Sequence, residues 1–388
     1  MFIVAWLANY NGMASWCWEA AHALHEAGHP VLLVCSDDVT LPGLPDVPIF
    51  RFTPPSSKVS PQRSLGRKIY DRLGNLSDRP SDLLPLLHQS LLQSNITPTA
   101  YFLNTTSLQN PEISTPQYIV AWACPTSLMA YINKIGLAYG WSLSKSTLRG
   151  VFEYLGWWRK DWRAYRDATA VLSVSHRLHE ELKVKGIKTY VVHPGTKMVS
   201  HDLPLTDADN VDNRPKCKLL IAAYDLEDPR KRVRWMIESL KQSSHYDFSL
   251  TLVGIATDSF KEWVLENEFP ANFVGYVNRD EVENIMEKHD VFLFGSRFDD
   301  WGYVLIEAMG RGLCVVAPDI SPFDEIVGTT GVTYPLDSSQ IFKTKVDELC
   351  KVQLTLKKKQ ALERADSLFS RNAFSNELIR VFEESVVS

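Results

Sequence analysis

The chain has 388 residues, 45% apolar and 22% charged, with 41 Lys plus Arg against 46 Asp plus Glu and a net charge of −5. That length exceeds one compact core and suits two domains, and the acidic balance argues against a nucleic-acid binder. No run approaches the roughly 20 apolar residues of a membrane span, and the six scattered cysteines form no C-x-x-C pair, which predicts a soluble cytoplasmic protein with reduced, buried thiols.

The opening MFIVAWLANYNG lacks a basic leader region and its apolar run stops at Asn9, so it reads as a buried first strand. A helical pattern from Ala14 to Ala27 follows, ends at Gly28, and leads into the apolar run HPVLLVCS (29–36). Strand, helix, strand at this spacing is a βαβ unit, the seed of a parallel sheet. TAYFLNT (99–105), QYIVAWAC (117–124), TAVLSVS (169–175) and TYVVHPG (189–195) continue the pattern. The polar stretch 200–215 has no apolar period and reads as a linker between a domain at 1–199 and one at 216–370. The strand pattern restarts with CKLLIAAY (217–224), FSLTLVGI (248–255), ANFVGYV (271–277), DVFLFGS (290–296) and LCVVAPD (313–319). An amphipathic helix at 371–388 closes the chain, free to pack across a cleft. The expected class is α/β: two Rossmann-like doubly wound domains facing each other across a cleft that holds the ligand.

Several motifs lead elsewhere. HEAGH (25–29) matches the H-E-x-x-H zinc pattern, the basis of a zinc metallopeptidase reading. That chemistry needs both histidines on one face of a continuing helix, and Gly28 before His29-Pro30 predicts that the helix stops first. DAD (207–209) sits in the linker and reads as solvated charge. There is no G-x-G-x-x-G after the first strand and no G-x-S-x-G elbow. Ser175 reads as a helix cap and His193 as structural.

In SRFDDWGYVLIEAMGRG (296–312) a buried strand ends and a helix starts near Gly302. Backbone N–H groups of Gly302, Tyr303 and Val304 at that start suit a diphosphate. Glu307, roughly 7 Å further along the axis, suits ribose hydroxyls. Asp299, on the other side of the phosphates, suits a sugar. The plainer alternatives are a surface carboxylate for Glu307 and an N-terminal cap for Asp299.

At these residues the chain resembles the retaining GT-B glycosyltransferases of family 4, whose E-x7-E signature stands here as GSRFDDWGYVLIEAMGRGLCVVA. NGMASWCWEAAHALHEAGHPV (11–31), DATAVLSVS (167–175), YVVHPGTK (190–197), DPRKRVRWMIESL (228–240) and FVGYV (273–277) resemble its other segments in order. The resemblance implies transfer of a hexose, with retention, from a nucleoside diphosphate sugar such as UDP-glucose to a polysaccharide or glycolipid acceptor. It gives Arg230 and Lys231 as cations for the leaving diphosphate, Asp299 as the sugar's carboxylate, and Gly12 as the close approach of the first domain. Tyr276 and Val277 fall at the strand end that meets the base. Neutralisation by the protein's own groups calls for neither metal nor other cofactor.

Three departures stand out: Asp299 replaces the family's first Glu, IAAY (221–224) lacks its arginine, and VAWACPTS (120–127) lacks its histidine. They keep open a nucleotide-sugar-binding protein without catalysis. WWRKDWRAYR (157–166) and SKVSPQRSLGRKIYDR (57–72) combine basic residues with aromatics and suit contact with the inner face of a membrane or a lipid-linked acceptor, with buried tryptophans as the alternative.

Overall fold

A computed structural model of the chain describes residues 1–6, 12–35, 46–52, 83–103, 109–121, 162–199, 217–241, 248–266 and 271–387. The linker with its DAD triplet, the basic stretch 57–72 and residues 157–161 lie outside the described residues. The chain divides into one unit of Met1–Pro194 with Phe374–Ser388 and a second of Gly195–Ala373.

The first unit holds a parallel sheet of β1 (Phe2–Trp6), β2 (Val31–Cys35), β3 (Ile49–Arg51), β4 (Ala100–Leu103), β5 (Gln117–Ala121), β6 (Ala170–Ser173) and β7 (Thr189–Val191), in the order β3-β2-β1-β4-β5-β6-β7. β2, β4, β5 and β6 are buried throughout, which is why their sequences read as continuous apolar runs rather than alternating ones. α1 (Gly12–Glu26) follows β1, and α2 (Leu83–Gln93) turns Leu84, Leu87 and Leu91 onto Ile3, Leu32, Val34 and Leu103. Each such leucine stabilises the unit by about 1.5–3 kcal/mol. α3 (His176–Lys183) is capped by Ser175, whose Oγ accepts from the Leu178 N–H at 3.2 Å, the role its sequence position predicts.

α1 ends at Glu26, and the His29 N–H turns back to the Leu24 carbonyl at 2.9 Å beside Gly28 at φ +82°. His29 has left the helix, and its ring meets Phe2 edge-on at 6.0 Å. The H-E-x-x-H letters therefore lack the shared helical face on which zinc chemistry depends.

The second unit holds β8 (Cys217–Asp225), β9 (Phe248–Ile255), β10 (Ala271–Gly275), β11 (Val291–Leu293), β12 (Cys314–Pro318) and β13 (Val332–Tyr334), all parallel, in the order β10-β9-β8-β11-β12-β13. Its helices are α4 (Val233–Leu240), α5 (Asp258–Glu266), α6 (Arg279–Met286), α7 (Tyr303–Met309), α8 (Phe323–Val327), α9 (Ser339–Glu348) and α10 (Leu354–Phe369). One core joins Leu219, Leu250, Leu252, Val291 and Leu293 of the sheet to Met236, Ile237, Phe260 and Phe342 of the helices. α11 (Arg371–Val387) then packs in the first unit: Phe374 meets Trp16 at 5.4 Å, Phe382 meets Phe2 at 5.2 Å, and Ser385 shares a 2.5 Å hydrogen bond with the Tyr118 hydroxyl.

In the second sheet the chain runs outward from β8 through β9 and β10, then returns and runs the other way from β11. The order reverses between β8 and β11. Loops that follow two such strands diverge and leave a crevice at their carboxyl ends, the usual ligand position in an open α/β sheet. In the first unit the reversal lies between β1 and β4, and the loops after them, 7–11 and 104–108, lie outside the described residues.

Candidate functional site

The loops after β8 and β11 carry the residues that the sequence singled out, and they are stitched together by backbone. The Arg297 N–H donates to the Arg230 carbonyl at 2.9 Å. Gly295 passes so close that a Cβ there would lie 2.9 Å from the Lys231 carbonyl oxygen and 2.9 Å from the Met236 sulfur. Only glycine permits that approach.

Lys231 and Asp299, 68 positions apart, meet across this seam, with Nζ 2.7 Å from Oδ2 and side chains 24% and 34% exposed. The ammonium also lies 5.6 Å from the centre of the Phe294 ring, whose face favours a cation. Asp299 Oδ1 accepts from the Asp300 N–H at 3.0 Å. Asp299 is not the helix cap: that position belongs to Gly302 at φ +100°, without a side-chain cap bond. α7 itself is about two turns long, so its dipole is a modest contributor beside the full charges.

Arg230 is held by Asp228. Its Nε lies 3.1 and 3.0 Å from the two carboxylate oxygens and its Nη2 2.6 Å from Oδ2. Burial pushes the Asp228 carboxyl up, but the Arg230 side chain and backbone N–H, with the charges of Arg230 and Lys231, hold it below the ordinary carboxylate value. Arg232 sits in the left-handed region at φ 55°, its guanidinium 3.9 Å over the Trp235 ring and bonded to the Leu336 carbonyl at 2.6 Å and to Asp337 at 3.1 Å. A non-glycine residue in that conformation costs of order 1–3 kcal/mol and persists only when its surroundings over-determine it. Here the anchored arginine fixes the chain just after Lys231. The R-K-R run is thus a set of partnered, part-buried groups rather than a solvated face.

Glu307 belongs to a second cluster. Its carboxylate lies 3.1 Å from Arg279 Nη2, Arg279 Nε lies 3.3 Å from Glu283, and Glu283 also pairs with Arg311, whose side chain is 2% exposed. Arg311 Nη1 donates to the carbonyls of Lys197 and Glu307 at 3.1 and 3.2 Å. This alternating chain holds the Glu307 carboxylate in one place. Sequence reasoning misses Arg279, Glu283 and Arg311, because no local motif joins α6 to α7.

The remaining positions are dispersed. Tyr276 and Val277 follow β10, and the Tyr276 ring, 64% exposed, meets Tyr224 edge-on at 5.8 Å. Tyr303 and Val304 open α7. Gly12 opens α1 in the first unit. Within 157–166, Ala164 and Tyr165 are buried and Trp162 is half-buried.

Residues 217–351, the stretch that contains this site, match the family described as glycosyl transferases group 1. This stretch, about a third of the chain, is thus similar to the group 1 glycosyltransferases. A protein of Klebsiella pneumoniae described as an uncharacterized 41.2 kDa protein in the cps region is 21% identical over 198 residues, 48% of this chain and 54% of that one. The chain thus spans about half the length of the curated relative it matches. Solved structures resemble it throughout. Sucrose-phosphate synthase from Thermosynechococcus elongatus has a TM-score of 0.68 at 15% identity with 100% of both chains covered. Anabaena Alr3699/HepE in complex with UDP-glucose has 0.60 at 16% with 99% of each covered, and a glycosyltransferase from Rickettsia africae has 0.63 at 14% with 99% and 98% covered. At these identities the likeness is one of fold: the chain has the two Rossmann-like domains of the GT-B architecture.

Proposed function

We propose that the chain transfers a hexose from a nucleoside diphosphate sugar, with UDP-glucose the leading donor, to a glycan or lipid-linked acceptor, with retention at the anomeric carbon. One observation carries the reading: Lys231 and Asp299, 2.7 Å apart, sit in the loops after the two adjacent strands where the sheet order reverses. A diphosphate that leaves a sugar gains negative charge at its bridging oxygen. A fixed ammonium beside it stabilises that charge more in the transition state than in the bound donor, which is the difference that accelerates a reaction. Asp299 holds the ammonium in position and offers its remaining lone pairs to sugar hydroxyls. Arg230 supplies a second cation, and Glu307 receives the ribose hydroxyls. The family match of residues 217–351 and the UDP-glucose complex of the structurally similar Alr3699/HepE support this choice of donor. The stretches 57–72 and 157–166, basic and aromatic, motivate the lipid-linked acceptor and a place at the inner face of the membrane. Among the described residues no helix is long and apolar enough to cross one.

A second reading, a nucleotide-sugar-binding protein without turnover, draws on the bidentate hold of Asp228 on Arg230 and on the end of β8, where the family resemblance implies an arginine and IAAY has none. Release of free nucleoside diphosphate with acceptor present separates the two. Lys231→Ala should lower kcat on the order of a hundredfold, the loss of one preorganised charge, while the donor KM changes less. An unchanged kcat in that variant would remove Lys231 from the mechanism.

A further inference from the structure

A parallel sheet is normally covered on both faces, and its strands then read as unbroken apolar runs. One corner of the second sheet departs from that rule. β9 begins F-S-L-T, with Phe248 and Leu250 buried, Ser249 exposed and Thr251 half-buried. The register sets Lys218 of β8 beside Ser249, and Asn272 of β10 beside Thr251. Ser249 and Thr251 stand two positions apart, so all four side chains share one face of the sheet. On the opposite face Leu219 and Leu250 enter the core. At about 4.8 Å between strands and about 6.6 Å between alternate residues, the polar patch measures roughly 10 by 7 Å, the footprint of a single sugar.

Lys288 and His289, between α6 and β11, complete a groove of about 590 Å³ over this patch. The His289 ring is a fixed wall. Its Nδ1 donates to the Ile285 carbonyl at 2.6 Å, so its Nε2 accepts from the Thr251 hydroxyl at 2.8 Å. Thr251 has then spent its one proton and has only lone pairs to offer a ligand, whereas Ser249 and Asn272 can both donate and accept. Among the described residues, neither the Lys218 nor the Lys288 ammonium pairs with a carboxylate, and nothing bonds the Ser249 hydroxyl or the Asn272 carboxamide. Asp290 does not neutralise the lysines. One of its oxygens takes the Lys358 ammonium at 2.8 Å and the other the Lys218 backbone N–H at 2.9 Å.

From this placement we infer that the uncovered corner of the second sheet is an accessory binding site for an acidic sugar, one that carries a phosphate or a carboxylate beside free hydroxyls. The lysines take the anionic group, while Thr251, Ser249 and Asn272 take the hydroxyls. A bare anion would leave the lone pairs of Thr251 unused, and a neutral sugar would leave the ammoniums unused. The site stands apart from the nucleotide-sugar reading above and does not rest on it. Lys218 is the second residue of β8, and Lys231 lies beyond the far end of that strand. At about 3.3 Å per residue, the length of β8 sets the groove roughly 20 Å from the candidate donor site.

The test titrates the full chain with glucose 6-phosphate, glucuronate, glucose and inorganic phosphate by calorimetry. Wild type is compared with Lys218→Ala, Lys288→Ala, Asn272→Ala and the donor-site variant Lys231→Ala. Lys218, Lys288 and Asn272 are exposed, so their variants should keep the wild-type melting temperature, which is checked first. At least one acidic sugar should bind wild type saturably, and more tightly than glucose or phosphate. Each lysine variant should weaken that binding roughly tenfold, the loss of one charged hydrogen bond, and Asn272→Ala about fivefold. Added salt should weaken it as well, and Lys231→Ala should leave it unchanged. Absence of saturable binding by both acids would overturn the site, as would full affinity in both lysine variants. Affinity lost in Lys231→Ala but kept in the lysine variants at the groove would also overturn it, by placing the acid in the donor site. Phosphate bound as tightly as the acidic sugars would refute the sugar and leave a bare anion site.

Discussion

Arg311→Met removes one charge from the cluster that holds Glu307 while keeping an apolar stem of similar length. The Arg311 side chain is 2% exposed, pairs with Glu283, and donates to the carbonyls of Lys197 and Glu307. Breaking a buried ion pair by removing one partner costs about 3–5 kcal/mol, because the other charge is left uncompensated. Glu283 retains Arg279 at 3.3 Å and is 20% exposed, which argues for the lower end, about 3 kcal/mol. In a domain of this size each kcal/mol moves Tm by roughly 2–4 °C, so the second unit should melt roughly 6–12 °C lower in differential scanning calorimetry. A shift under about 2 °C would mean that Glu283 finds water or Arg279 without penalty, and the account of a buried, interdependent cluster would be wrong.

Other outcomes can be checked alongside. Glu307→Ala should weaken nucleotide binding, and Arg279→Leu should raise the donor KM more than it lowers kcat, since Arg279 acts by holding Glu307; equal effects on both constants would argue against that role. His289 is half-buried with Nδ1 2.6 Å from the Ile285 carbonyl and Nε2 2.8 Å from the Thr251 hydroxyl, and burial lowers its pKa below 6.5. The unfolded chain then binds the proton more readily, so this contribution to stability is complete above about pH 6.5 and declines as pH falls below it, by at most about 1.4 kcal/mol per pH unit. Urea midpoints between about pH 8 and pH 5 should fall less steeply in His289→Gln, and identical slopes would refute the assignment. If Arg230 and Lys231 supply the neutralisation, as proposed above, turnover after exhaustive chelation should stay close to the untreated value; loss with EDTA and recovery with a divalent ion would contradict that source of charge.

The parallel sheets are legible because strands buried on both faces become unbroken apolar runs, as in VLLVC of β2 and CVVAP of β12. The three-residue edge strands β3 (IFR) and β13 (VTY) are not, because each leaves too short a pattern to detect, whereas β7, equally short and also at an edge, opens the longer apolar stretch TYVVHPG. In the site, Asp299 and Glu307 can be singled out because both fall in one continuous loop and helix. The partners that fix them cannot. Lys231 reaches Asp299 across 68 positions and Arg279 reaches Glu307 from a different helix, contacts that exist only once the strand order brings the loops together. The register shifts between Ala222 and Asp225 of β8 and between Phe273 and Gly275 of β10 are equally invisible in sequence, since the strand patterns around them continue uninterrupted.

The route of the chain also sets a schedule for its own synthesis. α11 covers Phe2, Trp16 and Tyr118 of the first unit, yet it is encoded after all of Gly195–Ala373. At about 5–20 residues per second, the ribosome spends roughly ten to forty seconds on that intervening stretch. For that interval the first unit waits with part of its aromatic surface uncovered, although its described strands have all been made. The segment made first is therefore among the last to be finished, and a nascent chain paused before residue 371 presents a distinct target for chaperones.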